Sequence, residues 1–172
     1  MKRNLKLYIV FLFLLSALTA SNAQPKVDEN NLITRLFGLN NLNITEAKDY
    51  FTSHNYTEVS TQSVQRGNYS LDLIKYKLKG QDFSYLLSTI ADSVSGCGYI
   101  TYSEVDCKQA QQLVKDMGFV PGEGFDPETG KAVYSKGNLR FIVQKNTADD
   151  NPFYVLMLCD LLKMARLAGM KK

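Results

Sequence analysis

The chain has 172 residues, 45% of them apolar and 22% charged, which is the composition of a foldable domain and excludes a disordered or fibrous one. Its formal charge of +3 is local: three of its 20 basic residues and none of its 17 acidic ones precede Gln24, so the remainder is balanced. A balanced chain lacks the concentrated positive face that nucleic acid rewards, and no nucleic-acid partner is expected.

The first segment, 1–23, reads as a secretory signal peptide. Lys2, Arg3 and Lys6 give a positive start, Leu7 to Leu18 is nearly all apolar, and Ser21-Asn22-Ala23 offers a small-x-small cleavage site. The apolar run falls short of the about 20 residues of a membrane span. Cleavage after Ala23 predicts an exported protein, periplasmic or extracellular, and the absence of a cysteine at the new N-terminus predicts no lipid anchor there. The compact lysine-rich signal has a bacterial look. On that reading the sequons at Asn43, Asn55 and Asn68 stay unmodified.

Residues 24–44 form a polar lead-in with an apolar patch, Leu32, Ile33, Leu36, Phe37 and Leu39, at helical spacing. That patch is expected to cover one edge of the fold. Gly38 to Asn41 reads as a break. An amphipathic helix follows, with Ala47, Tyr50 and Phe51 on one side and Thr45 as its cap. Strands are expected over 57–66, 71–78 and 83–90, the last two joined by a tight turn at Lys79-Gly80, with a closing strand at 99–103. A second helix, capped by Asp106, carries Ala110, Leu113 and Val114. Strands then fall over 120–125, 131–135 and 139–145, with a turn at Lys136-Gly137, and over 154–158. The tail, 160–172, is a short helix with Leu161, Leu162, Ala165 and Ala168 on one side and basic residues elsewhere. It is expected to dock on the fold, with membrane contact not expected.

The order repeats. Ala47, Tyr50, Phe51, Asn55 and Tyr56 match Ala110, Leu113, Val114, Gly118 and Phe119 at a constant offset of 63. The Lys-Gly turns match at an offset of 57 and the closing strands at 55. The fold class expected is therefore α+β: tandem duplicated helix-plus-four-strand units, 45–105 and 106–159, with helices packed on one face of an antiparallel sheet. This arrangement resembles the beta-lactamase inhibitor protein fold over most of 44–159. The resemblance is one of architecture, and it implies an open, concave sheet face that grips a partner protein.

Local chemistry is sparse, and no catalytic, metal or cofactor residues are assigned. His54, the lone histidine, falls where the first helix ends, a position at which histidine bonds terminal carbonyls. Gly122 to Lys131 departs from a phosphate loop in spacing and has Ala132 in place of the magnesium-holding hydroxyl, so it reads as a turn. Asp126, Glu128, Asp149 and Asp150 lack the ligand ladder of a calcium loop. Three cysteines, Cys97, Cys107 and Cys159, leave one thiol over from any single disulfide. Cys97–Cys107 is the pair nearest in sequence and requires a sharp reversal at Val105-Asp106. Cys107–Cys159 and three free buried thiols are the other readings.

Tyrosine is the remaining feature. Tyr76, Tyr85 and Tyr154 have apolar neighbours two residues away and belong on the core face. Tyr102 and Tyr134 have more polar surroundings and are expected to be exposed. With Tyr69 they form the expected partner-binding set, since tyrosine offers contact area at low entropic cost. The reading is an exported, non-catalytic protein-binding module without cofactor, possibly inhibitor-like, acting on an unknown protein at the cell envelope through an open sheet face. Two alternatives stand beside it. One is an envelope thiol enzyme or redox protein using an unpaired cysteine. The other is a membrane-peripheral structural protein docked by its last helix.

Overall fold

The computed structural model describes residues 27–122, 130–147 and 151–169. The signal segment, the acidic quartet Asp126, Glu128, Asp149 and Asp150, and most of the glycine-rich 122–131 stretch lie outside the described residues.

Helix α1 (Leu32–Asn40) is capped by Asn31, whose side chain accepts from the Thr34 N–H at 2.9 Å. Helix α2 (Ile44–Ser53) follows, then β1 (Tyr56–Arg66), β2 (Tyr69–Leu78), β3 (Phe83–Ile90) and β4 (Ser93–Thr101). Helix α3 (Glu104–Asp116) leads to β5 (Val120–Pro121), β6 (Lys131–Lys136), β7 (Leu139–Asn146), β8 (Phe153–Asp160) and α4 (Leu161–Leu167). The strands form one antiparallel sheet in the order β1-β2-β3-β4-β8-β7-β6-β5. The protein is thus α+β, and a helix followed by four strands occurs twice along it. The two meanders meet through their last strands, β4 and β8. They differ in proportion: β1 has 11 residues and its counterpart β5 has two.

The expected hairpins fall in place. Gly80 and Gly137 hold φ of +80° and +57°, the left-handed region that only glycine enters without strain. Two caps are corrected. Asn43, not Thr45, caps α2, in a reciprocal box with Glu46. Ser103, not Asp106, caps α3, accepting from the Asp106 N–H at 3.1 Å. In both cases a better-placed side-chain oxygen lies two or three residues upstream, and it starts the helix.

One face of the sheet carries the core. Antiparallel pairing sets residues in transverse rows, and the row Tyr76, Tyr85, Tyr99, Leu156, Val143, Ala132 faces the helices throughout. So does the row Ile74, Leu87, Cys97, Leu158, Phe141, Tyr134. Against these rows sit Ile33, Leu36 and Leu39 of α1, Ala47 and Phe51 of α2, and Cys107, Ala110 and Val114 of α3. Each fully buried large apolar side chain contributes roughly 1.5–3 kcal/mol. The position of α1 corrects the expectation that its apolar patch covers an edge: α1 packs on β4 and β8, in the middle of the sheet. The tail helix α4 packs on β4 and β8 as well, and Lys163 Nζ donates to the Asn40 carbonyl at the end of α1.

All three cysteines are free and buried. The Cys97–Cys107 bond does not form, because Val105 and Asp106 lie in the first turn of α3 and make no reversal there. Cys97 faces the helices, whereas Cys159 pairs with Gly96 on the opposite side of the sheet.

Candidate interaction surface

Alternation along the strands fixes what the other, outward face presents. Its central row is Lys75, Leu86, Gly98, Met157, Ile142, Val133, each residue opposite the next across the sheet. A second row is Lys77, Ser84, Ile100, Val155, Gln144, Lys131. A third is Leu73, Ser88, Gly96, Cys159, Arg140, Ser135. Leu86, Ile100, Val155, Met157, Ile142 and Val133 are half-buried, in contrast to the nearly complete burial of the helix-facing rows. Toward the end of β8 that leads into α4, Ser88, Gly96 and Cys159 are buried.

Gly98 leaves the middle of this face without a side chain. A Cβ at Gly98 would stand 3.2 Å from the Leu156 carbonyl oxygen and 3.5 Å from the Leu86 Cβ, so glycine leaves a shallow dent between Leu86 and Met157. Tyr102 stands at the far end of the face, 57% exposed, its ring centroid 6.0 Å from that of Phe153. Phe153 lies on the outward side of β8, two residues from Val155. Tyr102 is therefore the expected exposed tyrosine.

Tyr134 is a correction. It is 7% exposed and belongs to the core, because its register partner on β7 is Phe141 and its neighbour at −2 is the buried Ala132. The charges near it in sequence, Lys131 and Lys136, flank the strand ends and do not determine its face. Tyr69, at the start of β2, is half-buried. Tyr76, Tyr85 and Tyr154 are buried as expected.

Two of the cavities lined by described residues border the helix layer. One, of about 400 Å³, lies between α1 and α3 over Phe83, Tyr85 and Tyr99, and the other, of about 390 Å³, lies beside Tyr102, Asp82 and Gln81. Arg35 is the cation of the first. Its Nε pairs with the Glu29 carboxylate at 2.7 Å, Nη1 donates to the Tyr85 hydroxyl at 2.7 Å, and Nη2 donates to the Glu29 carbonyl. Burial works against this charge, but the Tyr85 hydrogen bond and the Glu29 carboxylate outweigh it and hold the guanidinium above its ordinary range. The Tyr50 hydroxyl donates to the same carboxylate. With Nη1 and Nη2 hydrogen-bonded and Nε in an ion pair, Arg35 ties Glu29 of the lead-in to Tyr85 of the sheet. His54 Nδ1 lies 2.7 Å from the Tyr50 carbonyl, the helix-end role expected of it.

The thiols are held protonated. Burial pushes Cys107 and Cys159 up to about 11, and burial with the neighbouring Cys159 pushes Cys97 higher still. A thiol nucleophile needs the opposite shift. Among the described residues no group of three or more His, Cys, Asp or Glu side chains is placed to hold a metal ion, and no helix is long and apolar enough to cross a membrane.

The outward apolar strip is what sequence reasoning missed. β8 is apolar on both faces, and Leu86 interrupts the Ser84/Ser88 side of an otherwise alternating β3, so alternation does not mark these positions as outward. Only the pairing register separates Leu86 from Leu87 or Met157 from Leu158. Comparison with protein-family models, curated proteins and solved structures finds no match to the chain.

Proposed function

We propose that this protein is an exported, non-catalytic binding module that engages another protein through the outward face of its sheet. The observation that carries the reading is the strip of Leu86, Ile100, Val155, Met157, Ile142 and Val133, half-buried on one face of the sheet while the helices pack on the other. A partly apolar sheet face is suited to protein partners because the antiparallel pairing already orders the backbone and little conformational entropy is lost on docking. Tyr102 extends the strip at its end as an aromatic anchor. The likeness in element order to the beta-lactamase inhibitor protein fold, which also grips its partner with a sheet face, supports the same reading.

The thiol-enzyme alternative finds no activated sulfur among Cys97, Cys107 and Cys159. The membrane-docked alternative draws on α4, whose Lys163 is engaged with Asn40 on the fold itself.

The test is a pull-down from native envelope extract with mature protein as bait. A Met157→Ser/Ile142→Ser variant and Tyr102→Ala serve as controls, after equal thermal melts show that both fold. A partner captured by the parent and lost with the double variant supports the reading. Capture indifferent to both variants moves the site off this face.

A further inference from the structure

We infer that the partner of the outward face is an acidic protein chain, apolar at its centre and carrying carboxylates on both flanks; this rests on the binding reading above and deepens it. The argument is the distribution of charge over the register. The outward positions of the strands carry Arg66 on β1, Lys75 and Lys77 on β2, Lys131 on β6 and Arg140 on β7. Among the described residues no outward strand position carries an Asp or Glu.

Among the described residues the carboxylates lie elsewhere. Glu58 and Asp72 take helix-side registers, opposite Tyr76 and Thr89. Asp82 and Asp92 lie between strands, and Glu46, Asp49, Glu104, Asp106 and Asp116 lie on helices. Beyond the signal the chain is neutral, so the positive face is a matter of placement and not of composition.

The cations bracket the strip. Lys75 and Lys77 border it on β2, and Arg140 and Lys131 border it on β7 and β6; Arg140 Nη1 donates to the Gly137 and Leu139 carbonyls, which hold its charge at the β6–β7 turn. β2 and β7 stand four strand spacings apart, about 19 Å. That is about two Debye lengths at moderate salt, so each flank acts as its own charged rim around an apolar centre. Such a rim selects a partner whose carboxylates sit outside an apolar core, and it raises the association rate as well as the affinity.

An anionic lipid surface is less well matched. Lipid is gripped by apolar side chains that protrude from the protein, and those of the strip are half-buried among their neighbours in the sheet. Nucleic acid is disfavoured because the centre of the strip is aliphatic and its rings, Tyr102 and Phe153, stand at one end, so a run of bases has no series of rings to stack on.

The experiment is an NMR titration of isotope-labelled mature protein with two synthetic twelve-residue peptides. Both have a Leu/Val centre; one has Glu on both flanks and the other has Lys. Saturable amide shifts confined to β3, β4, β7 and β8 with the Glu peptide alone are expected. Its affinity should fall roughly tenfold between about 50 and 300 mM salt. In the Lys75→Glu/Arg140→Glu variant that binding should be lost and binding of the Lys peptide gained. No binding of the Glu peptide, or equal binding of both, overturns the inference. So does sedimentation with phosphatidylglycerol vesicles by a protein that ignores the Glu peptide. The Met157→Ser/Ile142→Ser bait keeps the two readings apart: capture lost with it while the Glu peptide fails means a partner on this face that is not acidic.

Discussion

Phe51 shows how a single side chain joins the helix layer to the sheet. It is fully buried, and its ring stacks on Tyr76 with centroids 4.2 Å apart and planes 8° from parallel. Tyr56 and Tyr85 close around it at 5.5 Å, the former edge-on. Truncation removes the transfer energy of the ring and leaves a cavity that the surrounding rings cannot all refill, so Phe51→Ala should cost about 3–5 kcal/mol, read as a shift of the urea midpoint. Arg35→Leu acts on a different account. The Tyr85 hydroxyl, deep in the core, loses the Arg35 N–H that donates to it, and the Glu29 carboxylate loses its ion pair. A cost of about 1–3 kcal/mol is expected in the same measurement. The Tyr50 hydroxyl still donates to Glu29, which limits the loss at that end.

At the scale of elements, the cap corrections give a direct test of where α2 begins. Asn43→Ala removes the oxygen that receives the Glu46 N–H at 2.9 Å, and about 1 kcal/mol should be lost. Thr45→Ala, inside the first turn and exposed, should lie within roughly 0.5 kcal/mol of the parent. The reverse result would restore the start that Thr45 predicts. Much of the element order was legible because Lys79-Gly80 and Lys136-Gly137 punctuate alternating runs, and a turn residue acts through its own φ without help from the rest of the chain. The location of α1 was not legible. Leu32 to Leu39 shows a helix with one apolar side, but which strands that side meets depends on β8, more than a hundred residues later. Tyr134 failed for a related reason. Its face is set by pairing with Phe141, whereas the sequence displays only the lysines beside it.

The same limit explains the candidate surface. Lys75, Lys77, Lys131 and Arg140 are scattered along the chain and gather into one positive face only when the register is known. Lys75 has a solvent-side position, whereas Arg140 Nη1 also donates to the Gly137 and Leu139 carbonyls, so the Lys75→Glu/Arg140→Glu exchange should cost about 1–2 kcal/mol in the urea midpoint while it reverses peptide preference. A Lys75→Glu/Lys77→Glu exchange leaves those bonds in place; it should weaken Glu-peptide binding with the midpoint nearly unchanged, and an effect on binding that came through the fold would move both.

The whole molecule also carries a pH signature, and its sign follows from the buried acids. Burial holds the Cys159 thiol, and burial together with Glu104 holds the Cys107 thiol, up to about 11 from 9.0. Burial, with the added charges of Glu58 for Tyr76 and chiefly Asp106 for Tyr99, holds those phenols up to about 12 from 10.0. Below pH 9 these groups are protonated in both states, and their contribution is fully present. Above it the unfolded chain releases protons that the folded chain retains, so fewer protons are bound when unfolded and stability falls with rising pH. The thiols set the start of that fall and the phenols extend it toward pH 12. The urea midpoint should therefore hold level between pH 8 and 9 so far as these groups are concerned, then decline steadily. A Cys107→Ala/Cys159→Ala variant, referred to its own midpoint at pH 8, should decline less between pH 9 and 11 and keep the tyrosine part above that. A parent midpoint unchanged to pH 11 would mean that the thiols and phenols ionise in the folded protein as they do in water, and that the helix-facing side of the sheet is wetter than its packing implies.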